Sequence, residues 1–188
     1  MAAGDLTTLA TVKGYLPGID ALDTQFDTLL ERLITAVSAK FTAEVGRSLA
    51  SAAATETYNG HGGQRLTTKR FPIISVASLS IDGLAITPRA SVGESGYVVD
   101  DATSIALEGY FFSQGLQNVV VTYTAGYATI PLDVEQVIVK MVCLQFRDKD
   151  RIGQGSRSMQ GESVSYADGP VLAAWREVVD LYRAQLLG

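Results

Sequence analysis

Apolar residues recur at every third or fourth position near both ends of the chain, which is the spacing of amphipathic helices. Thr7–Thr8 supplies N-caps for a short helix that ends near Tyr15, before a Pro-Gly pair. Asp23 or Thr24 can cap a longer second helix that runs to about Arg47. The face opposite its apolar stripe carries mostly small residues, so that face is either solvated or a close contact with a neighbouring subunit.

Two further helices are predicted toward the C-terminus. Pro131 suits the first turn of a helix over Leu132–Lys149. This helix is apolar over most of its circumference, which predicts burial on several sides. A single small domain can provide that cover, but packing between subunits provides it more easily. Asp168-Gly169-Pro170 then opens a final helix with one apolar stripe.

The middle of the chain changes to short runs of β-branched and aromatic residues between turn signals. Asn59-Gly60-His61-Gly62-Gly63 and Asp82-Gly83 are the clearest predicted hairpin tips, because Asn, Asp and Gly accept positive φ angles. The predicted strands are Glu56–Tyr58, Arg65–Thr68, Ile74–Ile81, Leu84–Thr87, Tyr97–Val99, Ser104–Leu107 and Val119–Tyr123.

Together these elements predict an α+β fold, a small helical bundle of two N-terminal and two C-terminal helices with a β-rich insertion. We expect a discontinuous helical core from residues 1–54 and 131–188, and a β-rich inserted region at 55–130. The segment Arg147–Ser158 is rich in Gly, Ser and mixed charges, which is typical of an exposed, mobile loop. Ser163–Tyr166 is a candidate short strand.

Length and charge narrow the range of functions. A chain of 188 residues can bury a core without a disulfide or a metal, and its single cysteine excludes an intrachain disulfide. A net charge of -5 disfavours sequence-specific binding to nucleic acid. No apolar stretch approaches the length of about 20 residues that spans a bilayer, and no secretory signal is evident. We therefore expect a soluble protein made in a cytoplasm, with no membrane partner.

Candidate catalytic chemistry is sparse. Any Ser/His/Asp or Cys/His mechanism would need His61, the single histidine, which lies in a Gly-rich turn. Cys143 lies in an apolar helix, and one His with one Cys cannot make a conventional zinc site. Asp100-Asp101 is best explained by a turn, because adjacent strand residues point to opposite faces. We expect no enzyme, no catalytic or metal site and no cofactor.

Several stretches occur in a recognisable order along the chain. Asp5–Leu9 precedes the long second helix, and Val121–Pro131 leads into the apolar helix. Arg147–Gly153 follows that helix, and Gly161–Tyr166 precedes the last one. This ordered set covers most of the chain and resembles the tailed-phage head–tail connector (adaptor, or head-completion) proteins.

The resemblance implies a structural virion protein at the head–tail junction, assembled in the cytoplasm of the bacterial host. Adaptors of this family form a dodecameric ring below the portal that links the DNA-filled capsid to the neck and tail. The implied partners are identical copies, the portal protein, a stopper or tail-completion protein, and double-stranded DNA that passes without sequence recognition. The family's fold is a small helical bundle, from which this chain departs by its β-rich middle.

A ring is built from head-to-tail contacts, so each subunit needs two unlike adhesive faces. The predicted subunit-interface residues lie on the second and third helices: Thr28, Thr35, Ala39, Thr42, Val139, Val142 and Phe146. The charge-mixed loop, the following hairpin and the last helix are the predicted portal-binding segment, because a mobile segment can order on a partner. Its predicted contact residues are Arg147, Lys149, Arg151, Ile152, Arg157, Met159, Tyr166, Trp175 and Tyr182.

A second hypothesis stays open at this point. The β-rich region could be a binding or decoration module of a virion or cell surface, with the helices as its support.

Overall fold

A computed structural model describes residues 2, 4–149, 157–159, 162–164 and 169–184 of the chain. Within these residues, helices and antiparallel sheets confirm the α+β fold. The chain divides into a helical unit, Met1–Leu49 with Ile130–Gly188, and a β unit, Ala50–Thr129. In chain order the elements are α1 (Leu9–Tyr15), α2 (Asp27–Val45), β1 (Ala52–Gly60), β2 (Arg65–Thr67), β3 (Ile73–Ile81), β4 (Leu84–Ile86), β5 (Gly96–Val99), β6 (Ser104–Glu108), β7 (Gly115–Ala125), α3 (Leu132–Asp148), β8 (Arg157–Met159), β9 (Glu162–Val164) and α4 (Gly169–Ala184).

Helix α3 is the centre of the helical unit, because α1, α2 and α4 all contact it. Its apolar side chains from Val134 to Phe146 are buried apart from the half-buried Leu144, and Val134, Ile138 and Val142 have no exposed surface. The apolar circumference expected from the sequence is therefore covered by helices of the same chain.

The connection between α1 and α2 is organised by a buried lysine. The Lys13 ammonium donates to the carbonyl oxygens of Asp23 at 2.7 Å and Ala21 at 3.3 Å, and it forms an ion pair with Asp27. Thr8 caps α1 as expected, accepting the N–H of Thr11 at 3.1 Å. The predicted caps Asp23 and Thr24 of the second helix are wrong. The carbonyls of this segment are turned onto Lys13, so α2 begins only at Asp27.

The β unit contains two antiparallel sheets. One has the strand order β1-β7-β3-β4 and the other has the order β2-β6-β5. Apolar side chains from both sheets form one buried cluster, in which Ile105, Phe112, Val119, Val121 and Tyr123 have no exposed surface. All seven strands predicted in this region are present. β1 and β7 are each six residues longer than predicted, since β1 pairs with β7 along nearly its whole length.

The two predicted hairpin tips have different outcomes. Asp82 and Gly83 connect β3 to β4 with φ angles of 51° and 82°, as expected for a tight hairpin. The Asn59–Gly63 segment is not a hairpin tip, because it leads from β1 in one sheet to β2 in the other. Its glycine at position 60 allows a close approach, since a Cβ there would lie 1.9 Å from the carbonyl oxygen of Ser113.

The last part of the chain is described only in pieces. The predicted loop Arg147–Ser158 falls largely on residues 150–156, which lie outside the described residues, as do residues 165 and 166 of the predicted strand Ser163–Tyr166. At Arg157 and Ser158 the loop prediction is wrong, because these residues pair with β9. The described residues nearby form the short antiparallel pair β8–β9, and α4 begins at Gly169 as expected. Among the described helices, none is long and apolar enough to cross a membrane.

The central position of α3 gives a stability prediction. Truncation of Ile138 to Ala removes fully buried atoms, so we expect the free energy of unfolding of the helical unit to fall by about 2–5 kcal/mol. Leu132→Ala is the matched control on the same helix, because Leu132 is 78% exposed, and its effect is expected to stay within about 0.5 kcal/mol. Urea unfolding followed by the fluorescence of Trp175, the single tryptophan, measures both. Equal effects of the two substitutions would contradict the central burial of α3.

Candidate oligomer and partner interfaces

The exposed side of α2 forms a shallow groove with the start of the chain. The groove has a volume of about 510 Å³ and is lined by small and polar side chains: Ala2, Asp5, Thr28, Glu31, Arg32, Thr35, Ala36 and Ala39. The Thr35 hydroxyl donates to the Asp5 carboxylate at 3.0 Å, which also accepts the backbone N–H of Ala2 at 2.6 Å. The N-terminal segment is thereby held along α2 and forms one wall of the groove.

Three of the four α2 residues that we predicted for a subunit interface line this α2 groove. Thr28, Thr35 and Ala39 are exposed along one face of the helix, and the fourth, Thr42, is half-buried. Because these side chains are small, another helix or a large apolar side chain could approach the α2 backbone closely.

The three α3 residues predicted for the same interface lie elsewhere. Val139, Val142 and Phe146 are buried among the helices of their own chain, at 1%, 0% and 7% exposure. They offer almost no surface to a neighbouring subunit. The apolar circumference of α3 showed correctly that the helix is buried, but the cover comes from α1, α2 and α4.

A second depression lies between α1 and the start of α3. It has a volume of about 420 Å³, and its lining includes Tyr15 and Leu132. These two large side chains are 52% and 78% exposed. This α1–α3 edge therefore presents large exposed apolar side chains, whereas the α2 groove presents small ones.

Two of the predicted portal-binding residues are internal anchors of α4. The Trp175 indole N–H donates to Glu44 at 2.7 Å, and its ring packs edge-to-face on Phe41 with centroids 5.1 Å apart. The Tyr182 hydroxyl donates to the Asp133 carboxylate at 3.0 Å. Trp175 and Tyr182 are 3% and 6% exposed, so they attach α4 to α2 and α3 and present little surface to a portal.

The basic residues at the end of α3 have different environments. The Lys149 ammonium lies 3.9 Å from the ring centroids of both Phe26 and Phe146, which is a cation–π arrangement within the subunit. Arg147 is exposed. Arg151, Ile152 and Tyr166 lie outside the described residues, and Arg157 and Met159 are the end residues of β8.

The candidate chemical residues have structural partners. His61 Nδ1 accepts the N–H of Gly63 at 3.1 Å, and Nε2 lies 3.0 Å from the carbonyl oxygen of Arg65, so the ring braces its turn. Asp100 and Asp101 both form ion pairs with Arg65.

Cys143 has no feature of a reactive cysteine. Burial raises the pKa of its thiol more than the charge of Arg147 lowers it, so the reactive thiolate form is disfavoured. Within the described residues, no group of His, Cys, Asp and Glu could hold a metal ion.

Sequence reasoning missed a polar cluster inside the β unit, which is centred on Glu56. The Tyr123 hydroxyl donates to the Glu56 carboxylate at 2.7 Å, the Tyr58 hydroxyl donates to the same oxygen, and Arg70 Nε lies 3.3 Å from the other. The backbone N–H of Lys69 donates to Tyr58 at 3.0 Å. The cluster thus connects β1 and β7 to the loop before β3. Alternation along β1 places Glu56 and Tyr58 on one face, but the arginine comes from a separate loop.

The electrostatics of this cluster indicate a structural role. Burial raises the pKa of Glu56, but the hydrogen bonds from both tyrosines and the charges of Arg70 and Lys69 outweigh it, so the net shift is downward. Burial and the hydrogen bond to Glu56 raise the pKa of Tyr58. Burial likewise raises the pKa of Tyr123. Both phenols therefore stay protonated and donate to a charged carboxylate, which makes strong hydrogen bonds.

The lowered pKa of Glu56 predicts a pH-dependent stability. We expect Glu56→Gln to lower the free energy of unfolding of the β unit by about 1–3 kcal/mol at pH 7, because charge-assisted hydrogen bonds are lost. Because the pKa of Glu56 is lower in the folded protein, its carboxylate contributes stability at pH values above its unfolded pKa of about 4.3. This contribution is lost as the pH falls through the folded pKa, so the difference in unfolding free energy between wild type and Glu56→Gln should disappear in acid. Urea unfolding followed by tyrosine circular dichroism measures it. Glu94→Gln, at an exposed position, is the control. A difference that persisted unchanged at pH 2 would contradict the charged role of Glu56.

The comparisons with known proteins agree with this structural character. The profile of a family described as "Head completion protein" matches residues 5–185. No curated protein matches the chain as a relative.

Among solved structures, a chain in the neck of an empty GTA particle, computed with C6 symmetry, is similar to this one. The match covers 97% of this chain and 92% of that chain, with 18% identity and a TM-score of 0.58. A chain in the virion of a native gene transfer agent (GTA) particle matches over 94% and 91%, with 17% identity and a TM-score of 0.57. A chain in the neck of a native GTA particle, computed with C12 symmetry, matches over 94% and 91%, with 14% identity and a TM-score of 0.57.

At these identities the solved structures show a shared fold, whereas the family profile spans nearly the whole sequence. The chain therefore belongs to the head completion protein family, the structural virion proteins of the phage head–tail junction that its ordered motifs resemble.

Proposed function

We propose that this protein forms a homo-oligomeric ring below the portal and links the DNA-filled capsid to the rest of the neck. The observation that carries the proposal is the α2 groove, an exposed surface of small side chains that a neighbouring subunit could contact closely. The membership of the chain in the head completion protein family supports it. The C6 and C12 symmetries under which the similar GTA neck structures were computed support a cyclic arrangement.

The two unlike surfaces of the helical unit suit a head-to-tail contact. The α2 groove is lined by small residues such as Thr35 and Ala39, and the α1–α3 edge exposes the large side chains of Tyr15 and Leu132. In the proposed ring, Tyr15 and Leu132 of one copy enter the α2 groove of the next copy. Both side chains then lose contact with water, which favours association by roughly 25 cal/mol for each Å² of apolar surface buried. Repetition around a closed ring makes a modest contact sufficient.

The charge of the subunit fits a channel through which DNA passes. Each copy carries a net charge of -5, and a ring multiplies that charge. A negative ring repels the phosphate backbone, so double-stranded DNA would slide without adhering. The ring would be assembled in the cytoplasm of the bacterial host and remain in the virion, with a stopper or tail-completion protein on its other side.

Portal binding is proposed for the end of α3 and the segment that follows it. Arg147 is exposed at this end, and a guanidinium recognises carboxylates through paired hydrogen bonds. Trp175, Tyr182 and Lys149 contribute by holding α4 and the end of α3 in place rather than by contact with the portal.

Blocking the α2 groove should prevent ring formation. Ala39→Arg places a long charged side chain in the groove, so we expect annular particles to disappear from negative-stain images of the protein mixed with its portal, while the fold is retained. Leu132→Ala should weaken the ring from the opposite surface, without the stability loss expected for a core position. Ala128→Arg, an exposed position of the β unit, is the control. Rings formed normally by Ala39→Arg would exclude the groove as the subunit contact.

Removal of one exposed positive charge should separate portal binding from ring formation. We expect Arg147→Gln to weaken co-sedimentation with the portal roughly tenfold, as for the loss of a charge-assisted hydrogen bond. Lys40→Gln removes an exposed positive charge from the same unit and should leave portal binding unchanged. Equal effects of the two substitutions would show that only the overall charge matters.

A further inference from the structure

The outer edge of β1 carries backbone groups that have no partner in the described part of the chain. β1 is the first strand of the order β1-β7-β3-β4, so one edge pairs with β7 and the other is open. The open edge runs from Ala52 to Tyr58 and ends at the irregularity between Tyr58 and Gly60. Such an edge offers a row of N–H and C=O groups that an extended segment can satisfy.

Hydrogen bonds to other segments cover parts of two other strand edges, those of β3 and β5. The N–H of Ile73 on β3 donates to Ala102 at 2.7 Å, and the Tyr97 hydroxyl donates to the carbonyl oxygen of Val76 at 3.2 Å. Two irregularities and the short β4 occupy the rest of the β3 edge. On β5, backbone hydrogen bonds join Tyr97 to Thr87 and Arg89. The β1 edge differs from these two, because among the described residues no backbone hydrogen bond reaches its outer side and its register is regular from Ala52 to Tyr58.

The side chains of β1 do not protect its edge either. Natural edge strands are commonly guarded by Lys, Pro or an unpaired charge. Ala53, Thr55 and Thr57 form the exposed face of β1 and are small and uncharged. The one charged residue, Glu56, points to the other face, where it forms an ion pair with Arg70 and accepts hydrogen bonds from Tyr58 and Tyr123. The exposed face beside this edge therefore offers no charge repulsion to a second strand.

We propose that β1 pairs antiparallel with β1 of a second copy, about a two-fold axis at Thr55. This register uses the open edge symmetrically and places Ala53 of one copy opposite Thr57 of the other, with the two Thr55 side chains directly across. Threonine pairs of this kind stabilise a ladder. A register shifted to centre on Glu56 would place two carboxylates opposite each other, which is unfavourable. A second copy suits this edge because its own β1 has the same length and the same uncharged face.

This dimer goes beyond the ring proposed above and uses none of the ring residues. A two-fold contact closes after two copies, so it cannot build a ring of many subunits. The β1 pairing is accordingly a property of the free protein, whereas the α2 groove and the α1–α3 edge serve the ring. Failure of one contact in an experiment leaves the other testable.

Paired charge substitutions test the register. Ala53→Lys with Thr57→Lys places like charges opposite each other at both ends of the ladder, whereas Ala53→Lys with Thr57→Glu places opposite charges there. We expect the first double variant to raise the dimer dissociation constant about tenfold or more over that of the second, as measured by sedimentation equilibrium. Ala53 and Thr57 are both exposed in the subunit, so circular dichroism should show that both double variants are folded.

A disulfide provides an independent test. Thr55→Cys should form a covalent dimer on mild oxidation, because its Cα lies across from its own copy within the roughly 7 Å that a disulfide tolerates. Thr57→Cys is the control, since the proposed register separates the two Thr57 positions by about 14 Å. The wild-type protein, oxidised in the same way, controls for cross-linking through the buried Cys143. A wild type that is monomeric at all concentrations, equal behaviour of the two double variants, or equal cross-linking of Thr55→Cys and Thr57→Cys would overturn the proposal.

Discussion

The burial of α3 is the constraint on which the helical unit depends. A helix that is apolar nearly all round needs cover on several sides, and α1, α2 and α4 supply it. Two of these helices precede the β unit in sequence and the third follows α3. The chain must therefore leave the helical unit after Leu49 and return to it at Ile130. The discontinuous architecture is thus a consequence of how one helix is covered.

Hydrophobic periodicity predicted the four helices and the seven strands of the β unit in the correct order, but it did not predict β8. Local sequence rules failed where a tertiary contact determined the backbone conformation, as at the start of α2. Capping preferences predicted a helix start at Asp23 or Thr24, but the carbonyl oxygen of Asp23 accepts a hydrogen bond from the buried Lys13 and the helix begins at Asp27. The start of β1 was not predicted because alanine has a low strand propensity. Pairing with β7 nevertheless holds Ala52–Ala54 in an extended conformation. The Asn59–Gly63 segment has hairpin composition, but only the sheet assignment reveals it as a crossover.

The interface predictions show what composition leaves undetermined. An apolar residue such as Val142 signals burial, but the sequence does not state whether the same chain or another covers it. Trp175 and Tyr182 were predicted to contact the portal because they lie on the helix that follows the charge-mixed segment. In the structure their polar groups bond to Glu44 and Asp133, residues far away in sequence. The small residues Thr28, Thr35 and Ala39 of α2 line an exposed groove, and their place in a subunit interface stays a prediction.

The β unit begins and ends at nearly the same place. Ala50 and Tyr127 form an isolated bridge, so the two connections to the helical unit lie side by side, and the cluster around Phe112 is built from residues of the β unit alone. A segment that exits and re-enters through adjacent points adds little loop-closure entropy to the remainder of the chain. Evolution can lengthen, exchange or delete such a segment with few changes to the helices around α3, so relatives can differ greatly in the middle of their sequences and still share the same bundle.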